Sequence, residues 1–153
     1  MQKIWSEKQS IALSRHVTAA FAVLLLGCDV GGWWLVRFVC NNVMHSHGDT
    51  GFYSLLIGLY LCSVPAYSLL YSLYRLLHNL EKDRVFIAEN VVLLRRVSWC
   101  CVLAGIVCLC IAPVWPSLAL LATAAGFMAL IVRVIKNVFV RAIGMKDELD
   151  FTV

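Results

Sequence analysis

The sequence predicts an all-α integral membrane protein, a four-helix bundle with N-terminus and C-terminus in the cytoplasm. Three observations predict it. First, 61% of the 153 residues are hydrophobic and 14% are charged, whereas a soluble domain carries about 25% charged residues. Second, the apolar residues fall in blocks that approach or exceed the roughly 20 residues needed to cross a bilayer. Third, twelve of the 13 Lys and Arg residues lie before the first block, around the connection between the second and third, or around the end of the fourth. Only Arg37 lies near the other side. Positive residues close to membrane ends stay cytoplasmic.

The elements follow in order within a single membrane domain, residues 1–153. Residues 1–14 are mixed and polar, with Lys3, Glu7 and Lys8. The first transmembrane helix is expected over about 17–40. It is longer than the roughly 7–15 residues of a signal-peptide apolar region, so it is read as retained. Residues 41–50 form a polar outer loop. The second helix covers about 51–73, and a charged cytoplasmic loop covers about 78–96. The third helix covers about 97–113, and Pro113 and Pro116 bracket a tight turn. The fourth covers about 117–135 and leads into a cytoplasmic tail, about 138–153. The apolar runs are unbroken, as in 19–26 and 118–121, whereas barrel strands alternate apolar and polar. In lipid a continuous apolar span must close its own backbone hydrogen bonds, which a helix does. Trp33, Trp34 and Trp115 are expected at the outer interface and Trp99 at the inner one. Arg133 and Lys136 reach the headgroups on long stems.

Composition also excludes functions. The net charge of +4 flanks apolar blocks and makes no basic face, so direct nucleic-acid binding is not expected. Six of the seven Cys lie inside apolar blocks and read as small membrane residues rather than a disulfide framework. Cys100-Cys101 and Cys108-x-Cys110 resemble a metal or redox cluster on paper, but helical steps of about 100° point them different ways. His45-Ser46-His47-Gly48-Asp49 offers imidazole and carboxylate groups, yet two His without a third fixed ligand make a weak metal site. No metal or cofactor is expected. Phosphate-cradling glycine loops, a nucleophile elbow and a zinc-protease motif are all missing, so no enzyme is expected.

Asp29 is the most informative residue. It lies about 12 residues into the first span, near mid-membrane, where a carboxylate is costly and is paired, neutralised or functional. Tyr60 and Ser63 of the second helix and Thr123 of the fourth are expected at similar depth. Together they form the candidate intramembrane polar site. It reads as a proton- or ligand-sensitive switch, as a neutral carboxyl that ties helices together, or as a carboxylate that a displaced helix brings to the headgroups. Gly27 and Gly31, followed by Gly32, have the spacing that lets another helix approach closely. Arg37 is about 12 Å further along the axis, too far for direct pairing.

The charged segments carry a more specific pattern. Asn79, Glu81, Lys82, Phe86, Asn90, Leu94 and Arg95 fit the stretch Asn-x-Glu-Lys-Gly-x-x-Phe-Thr-x-x-Asn-x-x-x-Leu-Arg. Residues 133–139, Arg-Val-Ile-Lys-Asn-Val-Phe, and 146–153, Lys-Asp-Glu-Leu-Asp-Phe-Thr-Val, are similar to a closing Arg-Val-Val-Lys-Asn-Val-Phe and Lys-Glu-Glu-Asn-Asp-Leu-Thr-Ile. By these two stretches the chain resembles the DUF2975 family of small bacterial membrane proteins. Asp83 replaces the family's turn Gly, Ile87 stands where a capping Thr or Ser is usual, and Leu149 replaces an Asn. The family has no established activity. The resemblance implies a bacterial plasma-membrane protein and, by association, a cytosolic helix-turn-helix partner.

The leading expectation is therefore a non-enzymatic sensor of a lipid, small amphiphile or membrane state. Its cytosolic docking candidates are Asn79, Glu81, Lys82, Phe86, Asn90, Leu94, Arg95, Lys136, Asn137 and Asp150. Two alternatives stand beside it. One is a small transporter or channel subunit working as a homo-oligomer. The other is an immunity protein against membrane-active peptides.

Overall fold

A computed structural model describes residues 2–43, 48–82 and 87–150. These form five helices: α1 (Gln2–Val30), α2 (Gly32–Val43), α3 (Gly48–Glu81), α4 (Ala88–Ile111) and α5 (Ser117–Asp150). Four segments are long and apolar enough to cross a membrane: Ile11–Val30, Asp49–Glu81, Ala88–Ile111 and Ser117–Lys146.

The first expected span divides at Gly31, which lies between α1 and α2. Hydrogen bonding still bridges the break. Gly31 N–H donates to the Gly27 carbonyl and Leu35 N–H to the Gly31 carbonyl, both at 2.9 Å. Adjacent Gly31 and Gly32 weaken the helix interior because their backbones carry the most freedom to lose.

The helices also run past the expected spans. α3 has 34 residues, about 51 Å at 1.5 Å per residue, against a hydrocarbon core of about 30 Å. It continues beyond residue 73 to Glu81. α4 begins at Ala88, so the later part of the expected loop, before residue 97, is helical and forms its first turns. Ile87 precedes it in extended conformation and makes no side-chain cap, as an apolar residue at that position dictates. Glu89 in the first turn favours the positive end of the helix dipole. α5 carries the fourth span without interruption into the expected tail.

The helices pack as a row rather than a closed bundle. α1 lies on α3, α3 on α4, and α4 most extensively on α5, with α2 against the far part of α3. Among the described residues α5 does not reach α1, which corrects the expected four-helix bundle. Lipid tails solvate an apolar helix face as well as another helix does, so apolar burial alone gives no drive to close the ring. Buried apolar residues are correspondingly few: Val36, Leu93, Leu94, Cys100, Trp115, Ala122 and Ala129. Phe21, Val30, Leu120, Phe127 and Leu130 stay exposed, an apolar surface that a lipid bilayer covers.

Small residues set the α4–α5 seam. A Cβ on Gly105 would meet the Ala122 carbonyl at 3.4 Å and the Ala125 Cβ at 3.5 Å. Ser98 Oγ donates across the seam to the Ala129 carbonyl at 3.1 Å. At the far end Trp115 is buried and its Nε1–H donates to the Gly51 carbonyl at 3.2 Å. It is thus a strut between the α4–α5 turn and the start of α3, not the lipid-facing belt residue expected. Trp33 meets Phe52 edge-on beside it, with ring centroids 4.9 Å apart.

Neighbouring helices are antiparallel, as the pairs Arg15–Glu81, Asn79–Asn90 and Ser98–Ala129 require. The start of α1, the α3–α4 connection and the end of α5 therefore share one end of the molecule, the cationic end.

Candidate functional site

Asp29 lies in the penultimate position of α1 and faces α3. Ser63 Oγ donates to its Oδ1 at 2.5 Å, and Tyr67 Oη donates to its Oδ2 at 2.8 Å. Tyr60 Oη donates to the Asp29 backbone carbonyl at 3.2 Å. Residues 60, 63 and 67 follow helical spacing, so one face of α3 presents all three hydroxyls. The Asp29 carbonyl is accessible because the α-helix ends one residue later, leaving its last carbonyls without intrahelical partners.

Ser63 is buried and has a second neighbour. Its Oγ lies 2.9 Å from the Leu59 carbonyl. Pro65 sits inside α3 between Ser63 and Tyr67, where it lacks the N–H that would bond the carbonyl of Leu61. The α3 ladder is thus interrupted where it holds Asp29.

Two of the three residues expected to join Asp29 do so. Thr123 does not. It lies on α5, away from α1, and its hydroxyl turns back to the Leu120 carbonyl at 2.8 Å. Matching depth does not place two helices side by side when the row stays open. Tyr67 is the contact that the sequence reading missed. The available signal was its i, i+4 relation to Ser63 on the same face.

The glycines also need correcting. A Cβ on Gly27 would meet nothing within 4 Å, and one on Gly31 only the Gly27 carbonyl of its own chain segment, at 3.1 Å. Neither is a helix–helix contact. The close approach is at Gly32, where a Cβ would lie 3.2 Å from both Leu59 Cδ2 and Tyr60 Oη.

From Tyr67 toward the cationic end, α1 and α3 enclose an open groove of about 340 Å³, lined by Thr18, Ala19, Ala22, Tyr67, Tyr71 and Tyr74 among others. Below it Arg15 pairs with Glu81 at 2.7 Å. The α3–α4 hairpin is tied separately. Asn79 Nδ2 donates to Asn90 Oδ1 at 2.9 Å, and Arg75 pairs with Glu89 at 2.8 Å.

These contacts divide the docking candidates. Asn79, Asn90 and Leu94 are buried and hold the hairpin together, so they offer no free surface. Glu81, Lys82, Arg95 and Asn137 are exposed, and Lys136 is half-buried. Phe86 and the side chain of Asp150 lie outside the described residues, as does the loop 44–47 with its two His. Among the described residues no three His, Cys, Asp or Glu side chains come together as metal ligands. Cys100 is buried, Cys101 and Cys108 are half-buried and Cys110 is exposed, the scatter that helical geometry imposes. Cys108 instead meets Cys62 of α3, thiol to thiol.

A family model described as "Protein of unknown function (DUF2975)" matches residues 17–153, most of the chain. No curated protein matches it. No solved structure matches it either.

Proposed function

The chain belongs to the DUF2975 family, and we propose that it is a non-enzymatic membrane sensor in which protonation or ligand binding at Asp29 is reported to a soluble partner at the cationic end. The observation that carries this reading is Ser63 Oγ, 2.5 Å from Asp29 Oδ1 and 2.9 Å from the Leu59 carbonyl. One hydroxyl proton serves one acceptor at a time. With Asp29 ionised, Ser63 donates to the carboxylate. With Asp29 neutral, the carboxyl donates to Ser63, which turns its own proton to Leu59. The site accepts both states, and they differ by a full charge at membrane depth. A charge there favours movement toward water or a partner, whereas a neutral group stays against α3.

The element free to respond is α1. Its polar ties to α3, among the described residues, are the Asp29 cluster and the exposed Arg15–Glu81 pair. α3, α4 and α5 share broader contacts and the buried Asn79–Asn90 bond. The groups facing Asp29 are Tyr60, Ser63 and Tyr67 of α3, with Cys28 beside it on α1. Arg37 of α2 makes no ion pair with it among the described residues. Movement of α1 would release Glu81. Glu81, Lys82, Lys136 and Asn137 would then form the docking face. The charge asymmetry puts that face in the cytoplasm, where a helix-turn-helix protein is the expected partner. The aromatic α1–α3 groove suits a small amphiphile as the alternative signal.

Hydrogen exchange in lipid nanodiscs tests the reading. Protection of the backbone around residues 79–90 is expected to change when a small amphiphile is added to the wild type and to stay constant in Asp29→Asn. A wild-type profile that ignores added amphiphiles rejects the sensor.

A second reading, transport by a homo-oligomer, has one observation in its favour. Tyr60 and Tyr67 remain part-exposed beside Asp29, so a second copy could complete a polar lining. Liposome flux that depends on Asp29 would favour it over sensing.

A further inference from the structure

We infer that the groove between Arg95, Arg96 and Trp99 of α4 and Ser68 of α3 is a binding site for one anionic phospholipid. The groove has a volume of about 560 Å³ and is also lined by Val92, Cys100 and Leu103. Residues 92, 95, 96, 99 and 103 recur at helical spacing, so they make one stripe on α4. The opposite side of α4 is occupied by α5 through Ser98 and Gly105.

Chemistry changes along the stripe as it does along a lipid. Arg95 lies five residues past Asn90, about 7 Å along the axis, and Leu103 lies about 12 Å further in. Two guanidiniums stand at the outer part of the groove, the Trp99 indole follows, and exposed Leu103 points the way to the apolar interior. A guanidinium fork matches phosphate oxygens bidentately. An indole suits the boundary between headgroup and hydrocarbon. Ser68 lines the same space from α3 and offers a hydroxyl for a glycerol or ester oxygen.

Charge complementarity points to an anion. The nearby cations Arg15 and Arg75 are paired with Glu81 and Glu89. Among the described residues no carboxylate pairs with Arg95 or Arg96. A zwitterionic lipid brings its own cation to the same phosphate and gains less. A soluble acidic peptide could meet the arginines but not Trp99 and Leu103, which lie at membrane depth. This inference does not depend on the sensing role of Asp29. It assigns Arg95 to lipid rather than to a soluble partner.

Native mass spectrometry of the full chain released from nanodiscs tests it, with phosphatidylglycerol and phosphatidylcholine supplied in equal amounts. The wild type is expected to retain phosphatidylglycerol in preference. Arg95→Gln/Arg96→Gln is expected to lose about thirtyfold of that preference, given the attraction of about 1 kcal/mol of each cationic side chain for an anionic surface. Arg141→Gln, an exposed cation elsewhere, is expected to keep it. Both variants alter exposed side chains, and an unchanged helical circular dichroism spectrum verifies their folding. Equal retention of the two lipids, or a preference indifferent to the double substitution, overturns the inference. So does displacement of the lipid by inorganic phosphate at millimolar concentration, which would make the site one for free phosphate. Binding of an acidic peptide with no lipid preference also overturns it, in favour of a protein-docking face.

Discussion

Asn79 of α3 donates its side-chain amide to Asn90 of α4 at 2.9 Å, and Asn90 has no solvent exposure at all. This bond closes the α3–α4 hairpin two residues from the end of one helix and two residues after the start of the next. A buried amide left unpaired costs its full desolvation penalty.

Asn90→Ala should therefore lower stability by about 1–3 kcal/mol. The readout is thermal or steric-trapping unfolding in lipid. Lys82→Ala, exposed at the same end, should stay within about 0.5 kcal/mol. Equal effects would mean that the amide pair contributes nothing special.

Gly58 is predicted to be a packing position. A Cβ there would run into Cδ1 of Ile111. Gly58→Ala should cost about 1–3 kcal/mol unless the Ile side chain swings aside. Ile111→Val removes that methyl and should recover part of the loss. The double-mutant cycle checks the coupling.

The two glycine positions near Asp29 should separate cleanly. Gly32→Leu is expected to push α2 off Leu59 and Tyr60 and to destabilise the protein. Gly27→Ala meets open space and should be neutral or slightly stabilising, since Ala is the better helix former by about 1 kcal/mol. A large loss at Gly27 would restore the Gly-x-x-x-Gly interface.

Tyr67→Phe should remove one hydrogen bond from the Asp29 carboxyl and lower stability slightly, as the loss of a polar contact between membrane helices does. Thr123→Ala should cost nothing comparable, because its hydroxyl only bonds the preceding turn of its own helix. Unfolding in bicelles compares the two. A larger loss at Thr123 would return it to the polar site.

Much of the architecture was legible because lipid makes simple demands. Long apolar blocks must be helical to close their backbone hydrogen bonds, and α1, α3, α4 and α5 contain them. Asp29 stood out because a carboxylate inside such a block has a high solvation cost. Ser63 and Tyr60 followed from counting residues along antiparallel helices. The rest was not legible for a common reason. Hydropathy does not report which helix touches which, so depth alone suggests Thr123 beside Asp29, and the charged setting of Asn79, Asn90 and Leu94 suggests a docking surface where the structure buries them. Helix ends were equally obscure, because α3 and α4 keep their hydrogen-bond ladders beyond the apolar core into the charged segments.

The sequence by itself determined that this chain carries four segments long and apolar enough to cross a membrane and an acid within the first, since composition and length alone set the cost of putting residues in hydrocarbon. Only the tertiary structure decided that the helices form an open row, that Tyr67 completes the Asp29 cluster, and that two asparagines clasp the hairpin. Those outcomes depend on side-chain geometry between helices, where hydrogen bonds and close packing act over a few ångströms and leave no periodic mark on the sequence.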